Sequence, residues 1–240
     1  MRTSIIAHRG ASKLAGSDNT IESFSLAISL GADFVEMDVR QTKDKKLIVF
    51  HDDIIDDTPI KFLTFDELNT KSIDKGYSVP LLEDVLKLCQ GKIKLDIELK
   101  ETGYEFRVLS LVKKYFTYDS FMIKSFLDTA VKKVELLDKK VNTGLLLGYK
   151  KADIKRRVNE FLPSRRLKLL DVDFVSPHHK LVTWDYMLRM RILKKKVYVW
   201  TVNDEKIIKK LLAKNVDGII TDVPDKAIAI RDAYYKGKGH

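Results

Sequence analysis

Hydrophobic and polar positions follow two alternating periods along this chain, and the switch between them recurs from one end to the other. Short branched-chain runs have the length of buried strands and end on polar residues: Ile5-Ile6-Ala7, Phe34-Val35-Glu36-Met37-Asp38-Val39, Leu47-Ile48-Val49-Phe50 and Ile93-Lys94-Leu95-Asp96-Ile97-Glu98-Leu99. After the first, the spacing predicts a helix from Thr20 to Leu30, opened by Asn19-Thr20 and ended at Gly31. Strands are expected over 33–39 and 47–51, then a helix from Leu81 to Leu88 with Pro80 just upstream. Strand and helix pairs follow at 93–99 with 104–115, 120–125 with 128–138, 141–147 with 152–161, and 172–176 with 183–194. The last two are 197–202 with 204–213 and 217–221 with 225–235. The runs number nine, and eight strands are expected of them, each followed by a helix or, after 33–39, by a short connection.

Strands alternating with helices of this length specify parallel pairing through right-handed crossovers. Eight of them in 240 residues predict an α/β fold closed as a TIM-type (β/α)8 barrel, a single domain spanning 1–240. An open doubly wound sheet would carry a Gly-rich phosphate turn after the first strand, and His8-Arg9-Gly10-Ala11-Ser12 does not fit that fingerprint. The stretch 52–80 is the long irregular piece, opened by turn formers and read as a rim loop with a short helix from Thr64 to Leu68. Residues 236–240 read as a frayed tail.

Composition narrows the function classes. No apolar stretch approaches the roughly 18 residues of a membrane span, and the chain runs from Met1 almost directly into its first strand. A cytoplasmic protein with no membrane insertion is therefore expected. Cys89 stands alone and shares a helical face with Leu82, Val85 and Leu86, which predicts a buried, inert thiol. The net charge of +10 invites a nucleic-acid partner, but the lysines are scattered over many helix faces and ends, so none is expected. A positive field could still speed arrival of an anionic substrate.

The strand ends carry the candidate chemistry. Glu36 and Asp38 stand two residues apart on a strand, so the pleat sends both to one face, roughly 7 Å apart at Cα. On 93–99, Lys94, Asp96, Glu98 and Lys100 share the face opposite Ile93, Leu95, Ile97 and Leu99. Buried carboxylates need a cation, either a hard divalent ion held by oxygen or basic partners such as Lys94, Lys100, Arg9 and Arg40. Two of the five histidines, His8 and His51, end apolar strands beside these acids and could exchange a proton near neutral pH. His178-His179 could line the rim without taking part in chemistry. Arg9 and Lys100 add the charge that a phosphate would need. Together these groups describe a phosphoryl-transfer site.

The pattern resembles the glycerophosphodiester phosphodiesterase family. The matching pieces are His8-Arg9-Gly10, Asn19-Thr20-Ile21-Glu22-Ser23-Phe24, Glu36-Met37-Asp38-Val39, His51-Asp52, Val79-Pro80-Leu81-Leu82-Glu83-Asp84-Val85-Leu86 and Glu98-Leu99-Lys100. Ser125-Phe126, Trp200-Thr201-Val202-Asn203 and Asp217-Gly218-Ile219-Ile220-Thr221-Asp222-Val223-Pro224 continue the series in the family's order. The resemblance implies a TIM barrel that hydrolyses a glycerophosphodiester to sn-glycerol 3-phosphate and an alcohol, through attack by the glycerol 2-hydroxyl and a cyclic phosphate that water then opens. It further implies that Glu36, Asp38 and Glu98 bind a divalent cation, Mg²⁺ or Ca²⁺. His8 and His51 would be the acid/base pair, Arg9 and Lys100 would hold phosphate, and Phe126 and Trp200 would line the glycerol side. Two departures stand out: Asp18 precedes Asn19-Thr20 where the family usually has Glu, and 53–79 is shorter than the insertion of many relatives. A lysophospholipase D acting on lysophospholipids is the nearest alternative, and a non-catalytic nucleic-acid-binding module a more distant one.

Overall fold

The computed structural model describes residues 2–148 and 163–238. Their parallel strands are β1 (Ser4–Ala7), β2 (Phe34–Gln41), β6 (Lys94–Leu99), β7 (Phe121–Ser125), β8 (Asn142–Leu147), β9 (Phe174–Pro177), β10 (Lys196–Val199) and β11 (Gly218–Thr221). Each pairs with its neighbour, and β1 pairs with both β2 and β11, so the sheet closes into a barrel of eight. The run at 47–51 is the exception to the expected alternation. Its regular part, β3 (Leu47–Val49), lies antiparallel on the far end of β2, with Val39 opposite Val49. Nine apolar runs are thus sorted into eight barrel strands and one return strand, because only a few residues separate β2 from β3 and a parallel crossover needs a dozen or more.

The 52–80 region is more ordered than a loop. A two-stranded ribbon, β4 (Ile54–Ile55) with β5 (Thr58–Pro59), leads to a helix, Phe65–Ile73, capped by the reciprocal Thr64 and Glu67 hydrogen bonds. Ile48, Phe50, Ile55, Ile60, Leu63, Leu68 and Val79 give this region an apolar cluster of its own. The helix expected at Leu81 spans Leu82–Cys89 and buries Leu82, Val85, Leu86 and Cys89. Burial pushes the Cys89 thiol up to about 12, which fits an inert core residue. Short helices at Ser12–Ala15 and Ser164–Leu170 were not anticipated. The helix expected over 152–161 lies outside the described residues, and the last helix, Pro224–Lys236, is regular through a position expected to fray.

The alternation read from the sequence places each face as expected. Val35, Met37, Val39, Leu95, Ile97 and Leu99 pack outward beneath the helices. The inner faces divide by height. Ile6, Met122, Phe174, Tyr198 and Ile220 form an apolar cluster, and charge gathers towards the C-terminal ends of the strands. Phe174 and Tyr198 meet edge to face at 5.1 Å, and two glycines on neighbouring strands leave room for the rings. A Cβ at Gly144 would fall 2.0 Å from the Phe174 ring, and one at Gly218 would fall 2.5 Å from that of Tyr198. Gly144→Ala is therefore expected to destabilise the fold by about 1–3 kcal/mol through overpacking, read as a lower urea midpoint at unchanged slope.

Candidate active site

The site is built on the register of two strands. β2 and β6 place Glu36 opposite Asp96 and Asp38 opposite Glu98, so the inward pleat stacks carboxylates in two rows. Oxygens of Glu36, Asp38 and Glu98 lie within 4.8 Å of one another, and all three side chains are buried. Lys100, at the exit of β6, donates to Glu98 Oε1 at 2.7 Å and to Asp38 Oδ1 at 3.2 Å.

Arg9 enters from the end of β1 in the left-handed region, at φ 53°, a conformation unusual for a residue with a Cβ. The turn aims its backbone N–H at Glu36 Oε2, 3.0 Å away, and brings its Nε 3.1 Å from Asp38 Oδ2. Its Nη1 donates to Asp18 Oδ2 at 2.7 Å, so Asp18 is a partner of the site at one remove. Gly10 follows at φ 81°, where a Cβ would sit 2.4 Å from Ser23 Oγ. Only glycine lets the second helix, Ile21–Ser29, press against this turn. Asn19, expected to help open that helix, does something else. Thr20 is the cap, while Asn19 Nδ2 donates to Asp38 Oδ2 at 2.9 Å and Asn19 Oδ1 accepts from the Asp38 N–H.

These contacts set the ionisation of the acids. Burial opposes charge on Asp38, but Lys100 and Arg9 outweigh it and hold the carboxyl below its usual range. Burial, with Asp38 and Glu36 nearby, raises Glu98 despite Lys100. Burial also pushes Asp96 up to about 6, against the pull of Lys124. Lys100 is raised: burial disfavours its charge, but the adjoining carboxylates prevail.

Both histidines sit beside this cluster with Nδ1 engaged and Nε2 left for other work. His8 pairs through Nδ1 with Asp222 Oδ1 at 2.6 Å, and its Nε2 is 4.0 Å from Glu36 Oε2. Asp222 is itself held by Asn203, whose Nδ2 donates to Oδ2 and whose Oδ1 accepts the Asp222 N–H. His51 Nδ1 pairs with Asp52 Oδ1 at 2.8 Å. The His51 carbonyl accepts from Arg40 Nε and Nη2 at 3.0 and 2.7 Å, and Arg40 also pairs with Glu101. Burial and the cations Lys100 and Arg9 lower the His51 pKa, Asp38 and Asp52 acting in the other direction.

A cavity of about 520 Å³ opens here, lined by His8, Arg9, Glu36, His51, Glu98, Lys100 and Lys124 on one side. Phe126, Leu146, His178, Trp200 and Ile220 supply a more apolar wall. Trp200 meets Phe126 edge to face at 5.6 Å and donates from Nε1 to the Ser176 carbonyl at 2.7 Å, which fixes its ring. The structure thus brings Glu36, Asp38, Glu98, His8, His51, Arg9 and Lys100 to one mouth, with Phe126 and Trp200 across from them. Lys94 and Arg40, considered as partners of the carboxylates, pair elsewhere: Lys94 stands over the Phe34 ring at 5.7 Å. Lys124 and Asp222 were not anticipated as site residues. Strand parity offered a signal for both, since Lys124 shares a face with Phe126, and Asp222 follows Ile220 on the inward side.

Residues 8–226 match the sequence model of the glycerophosphoryl diester phosphodiesterase family. The chain belongs to that family. It is 32% identical over 237 residues to YhdW of Bacillus subtilis strain 168, covering 92% of this chain and 95% of the relative. It is 30% identical over 251 residues to a glycerophosphodiester phosphodiesterase of Bacillus altitudinis, covering 96% and 98%. Among solved structures it is similar to a glycerophosphodiester phosphodiesterase of Parabacteroides distasonis, with a TM-score of 0.81, 29% identity and 98% of each chain covered. Among the described residues no helix is long and apolar enough to cross a membrane.

A divalent cation fits the donor set. Three buried carboxylates converge with oxygen ligands alone, which suits a hard ion and not one that prefers nitrogen or sulfur. Chelator-stripped protein should therefore melt at a higher temperature when a divalent ion is added. At a hundredfold excess over Kd the gain is about 2.7 kcal/mol. Glu98→Gln should lose most of that shift in a calorimetric scan.

Proposed function

We propose that this protein hydrolyses glycerophosphodiesters to sn-glycerol 3-phosphate and an alcohol, using a divalent cation, Mg²⁺ or Ca²⁺, and the His8 and His51 pair. The observation that carries the reading is the convergence of three carboxylates, two oriented imidazoles and two cations on a single cavity at the strand ends. Glu36, Asp38 and Glu98 would hold the ion, which supplies Lewis-acid polarisation of a phosphate oxygen. Arg9 and Lys100 neutralise the remaining phosphate charge from the side facing Asp38. Phe126 and Trp200 form the wall against which the carbon side of a glycerol would lie.

Each histidine has its Nδ1 committed to a carboxylate, so Nε2 is the atom that exchanges a proton. One imidazole takes the proton of the glycerol 2-hydroxyl as its oxygen attacks phosphorus; the other gives a proton to the departing alkoxide. A second step returns both to their starting state, with water opening the cyclic ester. Holding the 2-hydroxyl beside the phosphorus makes the first step effectively unimolecular.

The deciding experiment is release of glycerol 3-phosphate from glycerophosphocholine and glycerophosphoethanolamine, with and without chelator. Wild type should turn over, chelator should abolish activity, and His51→Ala should lower kcat by about 10²–10⁴-fold. Equal release by wild type and His51→Ala would refute the reading, and dominant turnover of lysophosphatidylcholine would favour a lysophospholipase D. Asp222→Asn should keep the fold yet lower kcat by about 10²-fold or more, because the amide no longer fixes the His8 tautomer. The lowered His51 pKa means that its neutral, proton-accepting form persists below the usual 6.5. With His51 as the base of the first step, the acid limb of the kcat/KM profile falls below that value.

A further inference from the structure

Beneath the three carboxylates lies a second layer of charge that the roles above leave unused. Lys124 stands on β7 opposite Glu98 and is 2% exposed. Its Nζ donates to Asp96 Oδ2 at 2.5 Å and lies 3.5 Å from Glu36 Oε1. Asp96 is fully buried, faces Glu36 across β2 and β6, and its other oxygen, Oδ1, has no hydrogen-bond partner.

Stability does not account for this pair. Replacing a buried ion pair by apolar residues of similar volume is often neutral or stabilising, and Met122, Phe174 and Ile220 already form an apolar cluster within the barrel. What the pair does supply is a grip on Glu36. That carboxylate is held at Oε2 by the Arg9 N–H and at Oε1 by the Lys124 ammonium, so neither oxygen is free to swing. Glutamate is the longest and most rotatable of the acid side chains, and here its orientation is fixed from two sides with no cation needed to impose it.

Resting on the divalent-cation reading above, we infer that Lys124, anchored by Asp96, is the positioning residue for Glu36 and keeps the three-carboxylate cage in its cation-binding arrangement. The inference has a sign that separates it from a simple field effect. A lysine acting only through its charge repels the incoming ion, so its removal would tighten binding. A lysine that positions a ligand makes binding weaker when it is lost.

The test is calorimetric titration of the chelator-stripped full chain with Mg²⁺ and, separately, Ca²⁺, with folding checked by circular dichroism. Lys124→Met, which keeps the volume and removes the donor, should weaken binding of the ion by about 10–100-fold. Lys124→Gln, which keeps a donor, should show a smaller loss in the same direction and serves if the methionine variant does not fold. Unchanged or tighter binding in a folded variant would overturn the inference, as would failure of both variants to fold, which would make the pair structural. If wild type binds neither ion, the cation reading itself fails, a result distinct from normal wild-type binding that the variants leave unaltered.

Discussion

Four carboxylates, Glu36, Asp38, Asp96 and Glu98, are packed into the closed interior of one barrel, and an uncompensated buried charge costs several kcal/mol. Lys100 sits on two of them, Arg9 on Asp38, and Lys124 on Asp96 and Glu36. That compensation governs much of the surrounding architecture. It explains why Arg9 holds a left-handed backbone and why Asn19 turns from its helix to reach Asp38. Three fixed positive charges against four acids leave the pocket one positive charge short of balance. A divalent cation held there would reverse that sign and make the pocket attractive to a singly charged phosphodiester.

Below the charged rows, the edge-to-face pair of Phe174 and Tyr198 fills the space that two glycines vacate. Tight packing at that level resists sliding of one strand past another, and the register of β2 against β6 is what stacks the acids. The wall of the pocket is fastened in its turn, since Trp200 is tied to the Ser176 carbonyl and buttressed by Phe126 and His178. The cavity therefore pairs a rigid, highly charged side with a rigid aromatic side.

Much of this was legible in the residues because strand parity is strict. Once Val35, Met37 and Val39 are assigned outward, Glu36 and Asp38 have nowhere to point but in, and the same holds for Asp96 and Glu98. Parity within one strand does not reveal which residues on different strands meet at one height. Lys124 looked like one more lysine in a chain rich in them until the pairing of β6 with β7 set it opposite Glu98. The ribbon at 54–59, and the extension of the expected Thr64–Leu68 helix to Ile73, were hidden for a different reason. Their apolar residues form a small cluster apart from the main core and have no long periodic run. The antiparallel β3 was missed because its composition matches that of a barrel strand, while the length of the link before it decides its direction.

The pairing of His8 with Asp222 joins residues 214 positions apart, just past the C-terminal ends of the first and last strands of the barrel. During synthesis from the N-terminus, β1 can find β2 early, and the carboxylate cage can assemble once β6 is made. His8 has no carboxylate on Nδ1 until β11 has emerged and closed the ring. The His8–Asp222 pair is thus among the last contacts of the pocket that a nascent chain can form, well after its acids have gathered.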